Sequence, residues 1–246
     1  MKILVCISNV PDTTTKITFT DNNTQFNTQG VQYILNPYDE IALARAVELA
    51  ENEQGTVTVL HVGDANADAT LRKALAIGAS DAVRINAQPT DAYFVASQIA
   101  AYAQDKGFDM ILTGRESIDY NGTKVAAMLG EMLDIPSVSI TKKITIEGNT
   151  GILEREIEGG KEVLAIPFPF VAGTAEGVAD WKIPNMRGIM SARTKPLLVV
   201  EPIEVQGLSK IVKFESPASR TSVQLIDASE VSKLIDLLQS QGFLKN

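Results

Sequence analysis

Short apolar runs and longer helical stripes alternate along the first half of the chain. Residues 3–7 form a β-branched apolar run without alternation, the pattern of a strand buried on both faces. Residues 16–20 alternate with period two before the polar turn Asp21-Asn22-Asn23, which predicts a small hairpin. Asn36-Pro37 then marks a helix start, with Asn as the cap and Pro at the first helical position. Asp39 and Glu40 are its first-turn acids, and Leu43, Val47 and Ala50 carry its apolar stripe. A strand is predicted at 57–62, then a helix through Leu71, Ala74 and Leu75 that stops at Gly78. A short strand at 82–85, an alanine-rich helix from Ala92 to about Gln104 ended by Gly107, and a buried strand at 109–113 follow. Val125, Met128, Leu129 and Met132 recur at the spacing of one helical face. This strand-helix alternation predicts an α/β fold with a doubly wound, mostly parallel sheet.

The pattern changes after Pro136. Strands at 139–147 and 152–158 flank Gly148-Asn149-Thr150-Gly151, and a third at 161–166 follows Gly159-Gly160, so antiparallel hairpins are expected beside the parallel core. From 173 to 196 the periodicity is lost, and a loop that long is usually functional. An extended arm and an amphipathic helix bearing Val231, Leu234, Ile235 and Leu238 end the chain. The expected organisation is one domain over 1–195, including the aperiodic loop at about 178–195, and an arm with its helix over 196–246.

Composition narrows the chemistry. The 246 residues are 45% hydrophobic, enough for a sizeable core, and the net charge of -8 argues against a general nucleic-acid binder. The chain has one cysteine, Cys6, and one histidine, His61, which excludes an internal disulfide and a four-ligand Cys/His zinc site. His61 sits inside an apolar run and reads as a strand residue rather than a catalytic base. So few reactive side chains point to a borrowed cofactor or a binding role. No apolar run of about 18 residues exists to span a membrane. The first residues enter a strand at once with no basic leader, so a cytoplasmic location is expected.

Three segments could carry function. Gly114-Arg115-Glu116-Ser117-Ile118-Asp119-Tyr120-Asn121-Gly122-Thr123 follows the 109–113 strand and opens the next helix, the place where open parallel sheets bind ligands. Gly114 and Gly122 would let backbone approach a bound group, while helix-start amides with Ser117 and Thr123 would donate to an anion. It reads as a phosphate cradle or as an ordinary strand-helix loop with a capping Thr; it is neither a GxGxxG nor a P-loop pattern. Asn36-Pro37-Tyr38-Asp39-Glu40 is a helix cap or a turn beside a nucleotide base or ribose. The segment 181–193 combines Trp181, Met186, Ile189 and Met190 with Arg187, Arg193 and the following Lys195: a docking element for an acidic partner, or a loop folded back on its own core.

These segments, in this order, resemble the electron-transfer flavoprotein beta subunits from end to end. The resemblance is carried by Val10-Pro11-Asp12, Asn36-Pro37-Tyr38-Asp39-Glu40-Ile41-Ala42, Ala74-Leu75-Ala76-Ile77-Gly78-Ala79, Gly114-Arg115-Glu116-Ser117-Ile118-Asp119 and Arg187-Gly188-Ile189-Met190-Ser191-Ala192-Arg193. Its most specific piece is Arg155-Glu156-Ile157-Glu158-Gly159-Gly160-Lys161-Glu162-Val163, similar to the family's signature hairpin. The resemblance implies a Rossmann-like fold and an electron carrier rather than an enzyme, paired with an alpha subunit that holds most of the redox FAD. It also implies AMP, or a second FAD, in this subunit, and electrons received from flavin dehydrogenases such as acyl-CoA dehydrogenases. By position, Cys6, Asn36, Pro37, Tyr38, Asp39, Val62 and residues 114–123, among them Gly114, Arg115, Glu116, Ser117, Asp119, Asn121, Gly122 and Thr123, would line the nucleotide pocket. Tyr38 would lie nearest the partner's flavin, and the C-terminal arm would pack on the partner. Met186 falls where the family usually has an anchoring leucine, with Arg187, Ile189, Met190 and Arg193 beside it. The short loop Tyr120-Asn121-Gly122-Thr123 is closer in length to the bifurcating branch, which leaves AMP and FAD both open, and Phe168-Pro169-Phe170-Val171-Ala172-Gly173 departs from the end of the family's signature. A universal-stress-type nucleotide sensor shares the α/β core but needs neither the hairpins nor the long loop. An adenylate-directed hydrolase would need a base with a nucleophile near the cradle, where only Glu116 and Asp119 are available.

Overall fold

The computed structural model describes residues 1–219 and 222–244, so positions 220–221 and 245–246 of the expected arm and helix lie outside the described residues. The chain divides into two compact units, one of Met1–Thr18 with Asn27–Val212 and one of Phe19–Phe26 with Lys213–Asn246.

In chain order the strands and helices begin with β1 (Lys2–Cys6), β2 (Asn9–Pro11), β3 (Phe19–Thr20), β4 (Gln25–Phe26), β5 (Tyr33–Leu35) and α1 (Pro37–Asn52). Next come β6 (Thr56–Val62), α2 (Asp68–Ile77), β7 (Asp81–Ile85), α3 (Ala92–Ala103), β8 (Met110–Gly114) and α4 (Val125–Leu133). The remainder is β9 (Ser137–Glu147), β10 (Thr150–Ile157), β11 (Gly160–Pro167), β12 (Phe170–Thr174), α5 (Met186–Ala192), β13 (Leu197–Val200) and α6 (Val231–Ser240).

The larger unit is built on a nine-stranded sheet in the order β11-β10-β9-β12-β8-β1-β6-β7-β13. Every pairing from β9 to β13 is parallel, and β10 and β11 add antiparallel strands to the same sheet. Alternation along β1 separates two cores. Ile3, Val5 and Ile7 join Leu43, Val47, Leu71 and Leu75 of α1 and α2, whereas Leu4 and Cys6 join Ile99 and Leu129 of α3 and α4. Helices on both faces of a mostly parallel sheet make the fold doubly wound and Rossmann-like, as the sequence predicts. From β1 the chain steps outward to β6 and β7, then crosses through α3 to β8 on the other side of β1. The gap between the ends of β1 and β8 is therefore the switch point, where such sheets take ligands.

Several expectations are corrected. The strand at 16–20 reduces to Phe19–Thr20, paired with Gln25–Phe26 around Asp21, Asn22 and Asn23, all at positive φ. Phe19 stacks on Phe214 at 4.8 Å within the smaller unit. On α4 the buried face is Ala126, Leu129 and Gly130, while Met132 is exposed at the edge of α3, its sulfur 4.0 Å from Ser97 Oγ. The aperiodic stretch from 173 is largely ordered. It holds the end of β12, the helix α5 and the approach to β13, whose edge pairing with β7 continues the sheet past residue 195. β12 was not legible as a strand; it runs between β8 and β9 with all five residues buried.

Candidate nucleotide cleft and docking helix

Asn36 is buried to 0% exposure and does not cap α1 with its side chain. Its backbone carbonyl accepts the Asp39 and Glu40 N–H groups, while its side-chain amide reaches the loop after β8. Nδ2 donates to the Glu116 carbonyl at 2.8 Å, and Oδ1 accepts the Ile118 N–H at 3.2 Å. The expected capping role is thus replaced by a tie to the loop after β8. That tie satisfies two backbone groups that would otherwise be left without partners in a partly buried loop.

Asp39, 4% exposed, makes the second tie. Oδ2 accepts the Ser8 N–H beyond β1 at 2.7 Å, and Oδ1 accepts the Gly114 N–H at the end of β8 at 2.8 Å. Burial pushes this carboxyl up to about 7, against the pull of those N–H bonds. Gly114 is glycine for a reason other than ligand approach: a Cβ there would collide with the Asp39 carboxylate and lie 2.7 Å from the Tyr38 Cβ. Thr174 of β12 closes the frame, its hydroxyl donating to the Thr113 carbonyl at 3.0 Å while its own carbonyl accepts the Arg115 N–H at 2.7 Å.

Beyond this frame the loop opens to solvent. Ser117 and Gly122 face each other across a single antiparallel bridge, Asn121 has φ 50°, and Asp119 to Lys124 are exposed. Lys124 occupies the N-cap of α4, and no side chain caps that helix. The alternative of an ordinary loop with a capping Thr123 therefore loses its cap, and no side chain satisfies the first-turn amides of α4. Around Gly122 the space is open; the atom nearest a Cβ there would be Ser117 Oγ at 3.9 Å. The hydroxyls of Ser117 and Thr123 take no part in the bonds that hold the loop.

The other expected residues divide. Pro37 and Tyr38 lie in the first turn of α1, and the Arg115 guanidinium sits 5.1 Å above the Tyr38 ring while pairing with Glu116 at 3.2 Å. Val62 ends β6 next to β1. Cys6 ends β1 but its side chain belongs to the core on the α3–α4 face, and burial pushes its thiol far up, so it is an inert apolar residue there. Ser8 and Thr174 were missed by sequence reading: one contributes an N–H, the other sits on the unrecognised β12, and neither lies in a motif. His61 is a strand residue whose Nδ1 lies 2.8 Å from the Ile7 carbonyl. Among the described residues no cluster of His, Cys, Asp and Glu could hold a metal ion.

The docking segment is a helix rather than a loose loop. Asn185 caps α5, its side chain accepting the Gly188 N–H at 2.8 Å. Two cations fasten α5 to α2. Arg72 donates to the Ala192 and Lys195 carbonyls at 2.8 and 2.7 Å, and Lys195 donates to the Leu75 and Ala79 carbonyls at 3.0 and 2.5 Å. Gly188 is needed where α5 crosses α2, since a Cβ would overlap the Ala76 carbonyl oxygen. Met186 and Met190 then point outward at 73% and 67% exposure, with Ile183 beside them at 90%, and Arg187 and Arg193 are exposed. Ile189 instead turns toward α2 and, with Ala76 and Arg193, lines a groove of about 640 Å3.

The chain matches the family described as electron transfer flavoprotein domain over residues 23–205. It is 32% identical to the electron transfer flavoprotein subunit beta of Bacillus subtilis (strain 168), with 98% of this chain and 99% of that protein covered. It is 30% identical to the protein of the same name from Thermoanaerobacterium thermosaccharolyticum, at 98% and 99% coverage, and 28% identical to that of Homo sapiens, at 96% and 98%. The chain belongs to the electron transfer flavoprotein family, as a subunit beta.

Proposed function

We propose that this chain is the beta subunit of a heterodimeric electron carrier. In that reading it holds an adenine nucleotide, AMP or a second FAD, in the cleft between β1 and β8, and an alpha subunit holds most of the redox FAD. The pair would take electrons from flavin dehydrogenases such as acyl-CoA dehydrogenases and pass them to a further acceptor in the cytoplasm. Among the described residues no helix is long and apolar enough to cross a membrane.

The observation that carries the reading is the double tie from α1, in which Asn36 holds Glu116 and Ile118 while Asp39 holds Ser8 and Gly114. It fixes a loop whose next residues present uncapped helix-start amides, two hydroxyls and open space at Gly122. That donor set fits a phosphate: N–H groups at a helix N-terminus favour an anion, and Ser117 and Thr123 add donors. Tyr38, with the Arg115 guanidinium over its ring, supplies a flat face at the rim of the cleft. When bound, a flavin supplies the electron-accepting ring; this chain's residues bind, orient and shield. On α5 the exposed methionines provide adaptable apolar anchors flanked by arginines in an otherwise acidic chain, suited to a partner with an acidic rim.

The test is co-purification followed by nucleotide analysis. The tagged chain should bring down a flavin-bearing partner, and denaturing that complex should release one FAD plus one AMP, or two FAD. A colourless chain free of adenine compounds would refute the reading.

A further inference from the structure

The carboxylate of Asp39 sits where the two halves of the sheet part, and hydrogen-bond donors alone hold it. Ser8 N–H reaches it from the end of β1 and Gly114 N–H from the end of β8, and Asn36 and the Ser8 hydroxyl face it from beside α1 and β1. The remaining titratable neighbours are accounted for elsewhere. Cys6 on β1 is a buried thiol, Glu40 on α1 pairs with Lys73 at 2.8 Å, and Arg115 beyond β8 pairs with Glu116 over the Tyr38 ring. From β12, Thr174 offers a hydroxyl that is bonded to the Thr113 carbonyl. No cation pairs with Asp39 among the described residues.

We propose that Asp39 is the positioning residue of the cleft: as an anion it fastens the ends of β1 and β8 together, and on protonation it releases one of them, loosening the grip of the 114–123 loop on a nucleotide. The inference rests on the reading of that loop as a phosphate cradle. A carboxylate accepts on both oxygens, whereas a carboxylic acid turns one oxygen into a donor, which cannot bond an N–H. With Asp39 pushed up to about 7, that change falls in the neutral range.

The experiment titrates the full-length chain with FAD, whose pyrophosphate has no ionisation near neutrality. Affinity should fall about tenfold between about pH 8.5 and about pH 6, the loss of roughly one charge-assisted hydrogen bond. Asp39→Asn should bind weakly at every pH with a flat profile; a profile that follows the wild type would overturn the proposal. Amide resonances of the wild type without nucleotide give a second readout that needs no variant. The Ser8 and Gly114 N–H signals should titrate together near neutrality, and signals that stay still across the range would also overturn it. If they titrate while FAD fails to bind at any pH, the cradle reading falls and the Asp39 tie stands.

Discussion

Asn36 shows how one side chain can be readable in kind and misread in task. The dipeptide Asn36-Pro37 announces a helix start, and α1 does begin at Pro37. Capping is a local inference, whereas the groups that Asn36 satisfies lie 80 and 82 residues away, at Glu116 and Ile118. Asn36→Ala should therefore cost more than a lost cap, about 2–4 kcal/mol, because two backbone groups lose their partners. Urea unfolding checks the stability, and the nucleotide retained after purification should drop in parallel; full retention would detach Asn36 from the cleft. Gly114→Ala should cost about 1–3 kcal/mol through overpacking against Asp39 and Tyr38, and nearly nothing if the glycine served only a ligand. Asp39 carries a pH signature as well. Folding raises its carboxyl from 3.8 to about 7, so the folded chain binds more protons than the unfolded chain in that window. Its contribution to stability is fully present below about pH 4 and is lost as pH rises through about 7. Asp39→Asn should flatten that stretch of the stability-pH curve, measured by denaturant midpoints at matched salt.

At the scale of elements, periodicity revealed what is periodic. The β1-to-α4 alternation and the three hairpin strands follow from short β-branched runs and helical stripes, and the structure contains all of them. β12 escaped because its five residues include Gly173 and follow Phe168-Pro169, which reads as a turn. α5 escaped because seven residues are too few to show a stripe, and its anchorage comes from Arg72 on another helix. Arg72→Met should therefore free α5 while leaving the sheet intact. Amide exchange over residues 189–193 should quicken about tenfold, and unchanged exchange would show that packing alone holds the helix. Met186→Glu, on the outward face, should leave the fold and cofactors in place and slow electron exchange with an acyl-CoA dehydrogenase; equal rates in mutant and wild type would take the docking role away from α5.

For the whole molecule, topology decides where the chemistry sits. A sheet that steps out from β1 to β7 and returns through β8 leaves one opening at its carboxyl edge, and residues 36–39 and 114–123, far apart in sequence, meet there. Strand order is not encoded in periodicity, so that meeting was expected through family resemblance and is explained by the crossover. The C-terminal segment behaves differently. Among its described residues α6 buries none, although Leu234 and Ile235 are apolar, which fits an element completed by another polypeptide. Ending the chain at Val212 should leave the thermal midpoint of the isolated chain nearly unchanged and weaken its association with a flavin-bearing alpha subunit. Nucleotide binding by this chain requires that the loop after β8 grip a phosphate. Hydrogen exchange of the purified heterodimer, compared before and after its nucleotides are stripped, tests this most directly. The account predicts protection by nucleotide at amides 117–125 and at Ser8. Protection absent there, or confined to the groove between α2 and α5, would contradict it.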